Sequence, residues 1–154
     1  MSGFQNRNIG GWVTLRPGIF QGALTAGGSG NNSALTGAGL DRLPLEYPLS
    51  CVLATFFEAT LQSGQTLTLT TKIQHAPDDS TWTDFATESA TVVATGPSGG
   101  GAVVGTHELD VDLSGANEYV RAYVLPVLSA AGTDTAVVVQ AICFGGAAEL
   151  PAVS

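Results

Sequence analysis

The residues able to do chemistry are few and sit far apart. His75 closes the run TLTLTTKIQHA just before Pro77-Asp78-Asp79, and His107 lies beside Glu108 in THELDVDL. A catalytic histidine needs a nucleophile and an orienting carboxylate close by. Neither histidine comes with a GxSxG elbow, an HExxH stretch or a glycosidase-type carboxylate pair, so the chain reads as a non-enzyme. Asp78 and Asp79 could contribute to a Ca2+ site, but that ion takes roughly six to eight oxygens and so short a turn supplies few, which makes local turn chemistry the simpler role. Asp110 and Asp112 project from one strand face, about 7 Å apart at strand rise. They could hold a cation, or form an acidic stripe turned to solvent or to a partner. Cys51 and Cys143 sit in apolar runs, CVLATFF and VVVQAICF, and read as buried free thiols. Without supporting histidines they make no zinc site. The GPSGGG stretch lacks a following Lys-Ser/Thr and is not a phosphate loop. No metal and no cofactor is expected.

Other side chains suit contact better than reaction. Trp82 restarts the chain after the polar turn at residues 77–80 and could serve as a sugar-stacking platform or as a plug for one end of a sandwich. Tyr119, Arg121 and Tyr123 alternate at strand spacing and so share a face. An Arg among aromatics can stack and still reach a carboxylate. The acidic stripe at residues 108–112 is its candidate partner, across strands or across a subunit boundary; the alternative is a surface pair contributing at most about 1 kcal/mol.

The elements that must position these residues are strands. CVLATFFEAT is apolar on both sides until Glu58 and suits a central strand. Residues 66–74 alternate, with Leu67, Leu69, Thr71 and Ile73 on one side. Residues 106–113 alternate too, with His107, Leu109, Val111 and Leu113 inward and Glu108, Asp110 and Asp112 outward. With short strands at 82–85 and 91–95 and long ones at 118–128 and 135–144, the count is about seven or eight and no helix is expected. The fold class is all-β: an antiparallel β-sandwich or jelly roll with an extended Gly-rich N-terminal arm. The division falls at 1–48 for the arm, with short strands and a Gly-rich loop, and 49–154 for the sandwich. The apolar points of the arm, Phe4, Ile9, Trp12, Val13, Leu15, Ile19 and Phe20, are spaced too irregularly for a helix, and its aromatics call for a surface to cover.

Composition narrows the partners. At 154 residues with 44% hydrophobic content, the chain can bury a core without staples. Only 12% of residues are charged, about half the usual share, and the net charge is −8. The five basic residues, Arg7, Arg16, Arg42, Lys72 and Arg121, are scattered. Nucleic-acid binding needs them clustered, so no nucleic-acid partner is expected. No apolar run approaches the roughly 20 residues of a membrane span, so no membrane partner is expected either. The opening MSGFQNRNIGGW lacks a signal-peptide layout, which points to synthesis in a cytoplasm.

The string IQHAPDDSTWTDFATES, then LDVDLSGANEYVRAYVLPVLSAAGTDTAVVVQAICFGG, resembles the capsid decoration (cement) proteins of tailed bacteriophages. That family carries a strand and turn of the form Q-x-S-x-D-x-S-x-W/F-x-D, then a strand with Y-V-R. The matching residues are Gln74, Ala76, Asp78, Ser80, Trp82 and Asp84, then Tyr119, Val120 and Arg121, with Ala76 standing where Ser is usual. The resemblance covers residues 61–146. It implies a jelly roll on the outside of an icosahedral head, commonly a homotrimer, that holds neighbouring copies of the major capsid protein together. The protein would then be made in the host cytoplasm and act on the capsid exterior. Phe4, Trp12, Ile19 and Phe20 in the arm, and Trp82, Tyr119, Arg121 and Tyr123 in the sandwich, are the expected partner-binding residues. Two alternatives stand beside this: a carbohydrate-binding sandwich using Trp82 and the loops around Asp79 and Gly99, and another phage structural part from the tail or the head–tail joint.

Overall fold

Alternation decides the long strands. Along Thr66–Ala76, Leu67, Leu69, Thr71 and Ile73 are buried, while the intervening Thr66, Thr68, Thr70, Lys72 and Gln74 are partly open to solvent. The computed structural model describes residues 13–130 and 132–145. They form β1 (Val13–Thr25), β2 (Leu35–Thr36), β3 (Leu40–Asp41), β4 (Ser50–Leu61), β5 (Thr66–Ala76), β6 (Thr83–Thr87), β7 (Thr91–Thr95), β8 (Gly101–Asp112), β9 (Tyr119–Leu128) and β10 (Thr135–Gly145). One turn of 3-10 helix spans Leu43–Leu45.

All pairings are antiparallel. One sheet has the order β1-β10-β4-β8; the other runs β2-β9-β5-β6, with β3 also on β9 and β7 also on β5. If β2 and β3 are taken as one interrupted strand, and β6 and β7 as another, the sheets read 1-8-3-6 and 2-7-4-5. That is the jelly-roll order. β4 is central, as its two-sided apolar run suggests, and it pairs with β8 over its whole length without a bulge.

The interior holds two apolar clusters with a polar row between them. Phe57, Ala59, Leu61, Leu67, Leu69 and Val138 belong to one; Leu53, Ile73, Val111, Val120, Ile142 and Phe144 belong to the other. Gln140, Thr55 and His107 lie side by side across three strands at the boundary. The Gln140 side-chain amide donates to Thr55 Oγ1 at 2.8 Å, and both residues are buried. That bond satisfies the amide nitrogen, while the buried Gln140 Oε1 has no hydrogen-bond partner among the described residues.

Two expectations change. The four-stranded sheet does not begin at residue 49, because β1 pairs along its length with β10. Its Ile19 and Leu24 are 7% and 3% exposed and belong to the core. Pro17 and two register shifts around Ile19 hide its alternation. Gly18 looks arm-like in sequence but answers a packing demand: a Cβ there would lie 2.9 Å from Ala122 Cβ of the facing sheet. The second change is β8, which starts at Gly101, five residues before the alternation that begins at Thr106. Gly105 leaves room for the Phe57 ring, whose Cζ would sit 2.6 Å from an added Cβ.

Candidate interaction surface

Each sheet has an outer face, and the two are finished differently. On the six-stranded sheet, antiparallel pairing of β5 with β9 sets Gln74 opposite Arg121 and Lys72 opposite Tyr123, and β6 sets Asp84 opposite Gln74. The side chains then close on one another. Lys72 Nζ donates to Asp84 Oδ2 at 2.6 Å and lies 4.9 Å from the centre of the Tyr123 ring. Gln74 Nε2 donates to Asp84 Oδ1 at 2.8 Å, and Arg121 Nε donates to Gln74 Oε1 at 2.9 Å. The Arg121 guanidinium stacks 4.3 Å over the Trp82 ring. Burial lowers its pKa, opposed by the nearby Asp79 carboxylate. The Tyr119 phenol is raised, first by the charge of Asp41 and then by partial burial and further acids.

Within the chain Arg121 does not bridge to the 108–112 stripe, because β8 belongs to the other sheet and its acids face the opposite side of the molecule. Trp82 lies outside the sheet with Arg121 on one side and Gly39 close at its edge, where an added Cβ would be 3.0 Å from Cζ2. The turn before it forms as its residues dictate: Asp78 Oδ1 accepts the backbone N–H groups of Ser80 and Thr81 at 3.1 and 3.0 Å. Those bonds hold the Asp78 carboxyl below its ordinary range, first through Thr81.

The four-stranded face is apolar. Register places Leu15, Cys143, Val52 and Asp110 in one row across the strands, Val139, Phe56 and Thr106 in a second, and Val137, Glu58 and Val104 in a third. Phe20, Val104, Leu15 and Phe56 are 81%, 74%, 65% and 47% exposed. Phe56, Val104, Val137 and Val139 line an open hollow of about 500 Å3. Leu15, Pro17 and Phe20 border a smaller one beside it, of about 270 Å3. Glu108, Asp110 and Asp112 form the edge along β8, and all three are exposed. Large apolar surface rimmed by charge marks a contact site.

The expected partner-binding residues therefore part company. Trp82, Tyr119, Arg121 and Tyr123 lie on the six-stranded side, and Phe20 on the four-stranded side. Ile19 is packed inside, so its side chain is not available as an anchor. Phe4 and Trp12 lie outside the described residues. Phe56, Val104 and Val139 escape a reading by type, since alternation assigns them to an outer face without saying that the face is otherwise apolar.

The remaining candidates are structural. His107 Nε2 lies 2.7 Å from Glu88 Oε2, and the Thr71 hydroxyl donates to the same oxygen at 3.2 Å. The carboxylate stands between hydroxyl and imidazole, so the histidine cannot take the hydroxyl proton as a general base would. Instead the group links β8 to β5 across the sandwich. Nineteen residues separate Glu88 from His107, and no motif spacing marks the pair. Arg42, 3% exposed, donates to the carbonyls of Ala116, Asn117, Pro48 and Leu113 at 2.7 to 3.1 Å. It staples two loops together and is withdrawn from the surface. Cys51 faces the core with its thiol pushed up to about 12, chiefly by burial, whereas Cys143 faces outward beside Val52.

Fold and surface together define an all-β jelly-roll domain with one self-satisfied face and one open apolar face. No protein-family model matches the sequence, and no curated protein matches it. Solved structures share its shape. The VP2 subviral particle of infectious bursal disease virus is 13% identical with a TM-score of 0.50, over 87% of this chain and 32% of that one. The PBSX exported protein XepA is 16% identical with a TM-score of 0.47, over 92% of this chain and 39% of that one. The chain thus spans well under half the length of either. At these identities the likeness to VP2 is one of fold.

Proposed function

We propose that this chain is a virion structural protein, a decoration protein that binds the outside of a phage head as a homotrimer and stabilises the lattice of the major capsid protein. The carrying observation is the open apolar face of the four-stranded sheet with its acidic edge at Glu108, Asp110 and Asp112. A surface of this kind works by covered area and complementary charge. A jelly-roll fold shared with a viral-particle protein, and the resemblance over residues 61–146, support the same reading. Phe4 and Trp12 join Phe20 as proposed anchors. The protein would be made in the host cytoplasm and end on the capsid exterior.

The test is occupancy on purified particles, measured by quantitative mass spectrometry against the most abundant shell protein. A ratio near one, or a simple fraction such as one-third, is expected. A handful of copies per particle would move the protein to the tail or the head–tail joint, and absence would reject a virion role. Removal of residues 1–12 is the matching truncation, since deletion through residue 20 would also take the first half of β1.

A further inference from the structure

A sheet edge offers unpaired backbone groups to any passing strand, and folded proteins blunt their edges against this. β1 carries Pro17 and two register shifts, β2 and β3 have two residues each, and β6 and β7 have five each. β8 is different. It runs twelve residues in unbroken register with β4, and among the described residues no strand pairs with its other side. Its second half is guarded by the exposed acids Glu108, Asp110 and Asp112. Its first half, Gly101-Ala102-Val103-Val104-Gly105-Thr106, has no charge and no proline. Ala102, Val104 and Thr106 are exposed there, and Gly105, which is all backbone, is partly open to solvent. The edge strand of the other sheet that β8 touches, Thr91–Thr95, is uncharged as well.

We propose that the first half of β8 pairs antiparallel with β8 of a second copy, about a two-fold axis at Val104. The strand is its own complement in that register. Val104 meets its counterpart, Val103 meets Gly105, Ala102 meets Thr106 and Gly101 meets His107, so no two acids face each other. Glu108 falls opposite Gly100, which leaves the two Glu108 residues eight positions apart, roughly 27 Å along the strands. A register centred on Asp110 would instead set Asp110 against itself and Glu108 against Asp112, and like charges so close repel. Backbone hydrogen bonds supply the attraction, and the charge pattern supplies the choice of partner and register. The contact is isologous and closes as a pair, so it leaves a three-fold contact elsewhere on the molecule free to form. Two four-stranded sheets become one of eight, and the hollows beside Phe56 and Val104 join across the axis. The pairing concerns copies of this chain alone and stands or falls apart from any virion role.

The experiment is disulfide formation between copies of the full chain without particles, with Cys143→Ser removing the outward thiol and Cys51 left buried. Directly opposed residues of an antiparallel pair have Cα atoms about 4.5–5.5 Å apart, within disulfide reach. Val104→Cys should therefore oxidise to a covalent dimer at least about tenfold faster than Ala102→Cys or Thr106→Cys alone, because docking raises the effective concentration at that position only. In either of those two variants the like cysteines stand roughly 14 Å apart along the strands. A mixture of Ala102→Cys with Thr106→Cys should couple at the fast rate. All three positions are exposed, so the substitutions leave the core untouched. In the chain with its native cysteines, Val104→Lys should halve the mean mass seen by light scattering. Equal oxidation rates at the three positions would report random collision and overturn the proposal. Fastest self-coupling at Ala102→Cys or Thr106→Cys would place the axis elsewhere and overturn it too, as would a mass unchanged by Val104→Lys.

Discussion

The two outer faces are built from strands with the same inside–outside alternation, yet one is complete and the other is open. On the six-stranded side nearly every polar group has a neighbour to meet: Lys72 with Asp84, Gln74 with both Asp84 and Arg121, and Arg121 with Trp82. On the four-stranded side Leu15, Phe20, Phe56 and Val104 meet water. Alternation tells which residues leave the core. What they do there depends on their neighbours across the strands, and that is set by register.

Substitutions can break this comparison. The largest effect is expected from Phe56→Asp with Val104→Asp. Particle binding should weaken at least about thirtyfold, equivalent to about 2 kcal/mol, while urea unfolding moves by less than about 1 kcal/mol. Unchanged binding would remove this face from the contact. Next comes Trp82→Ala, which strips the cover from Arg121 and from the loop at Gly39. Stability should fall by about 2 kcal/mol with particle binding kept. The reverse pattern, lost binding at full stability, would transfer the contact to the six-stranded face. Arg121→Ala should cost about 1 kcal/mol, from one stacking contact and one hydrogen bond.

The smallest effect belongs to the ion pair. Asp84 is held below its ordinary range, first by the hydrogen bond from Lys72 and then by that from Gln74; Lys72 is raised, first by the same bond. A lowered acid contributes stability above its unfolded pKa and loses it as pH falls through the folded value. A raised base contributes below its unfolded pKa and loses it as pH rises through the folded one. The pair is therefore at full strength between roughly pH 5 and pH 9. With the Asp84 side chain 42% exposed, water screens the interaction, and Asp84→Asn should cost no more than about 0.5–1 kcal/mol in that window. Urea titrations of parent and variant should converge as pH falls below about 4.

Much of the fold is legible in the chain because β5 and β8 show their faces by residue type, β4 shows its central place by an apolar run on both sides, and the Asp78 turn shows its own bonding. β1 is not legible, since Pro17, Gly18 and the register shifts erase its period, and the strand exists because β10 offers an edge to pair with. The residues that suit contact were readable by type, but their distribution over two opposite faces was not. Arg121 illustrates the reason: its nearest carboxylates in an alternation pattern were those of β8, while the topology gave it Gln74 and Trp82. Glu88 escaped notice because it lies between two short strands and meets His107 only when the sheets close.

The polar row of Gln140, Thr55 and His107 carries a consequence for assembly of the sheet. A slip of one residue between β4 and β10 would turn every core side chain outward, and the apolar pattern alone forbids it. A slip of two residues keeps that pattern, so hydrophobicity barely opposes it. It would, however, set the Gln140 amide against Leu53 or Phe57 in place of Thr55, and an unpaired buried amide costs about 1–3 kcal/mol. The row thus acts as a phase mark, separating the native alignment from its even-numbered echoes.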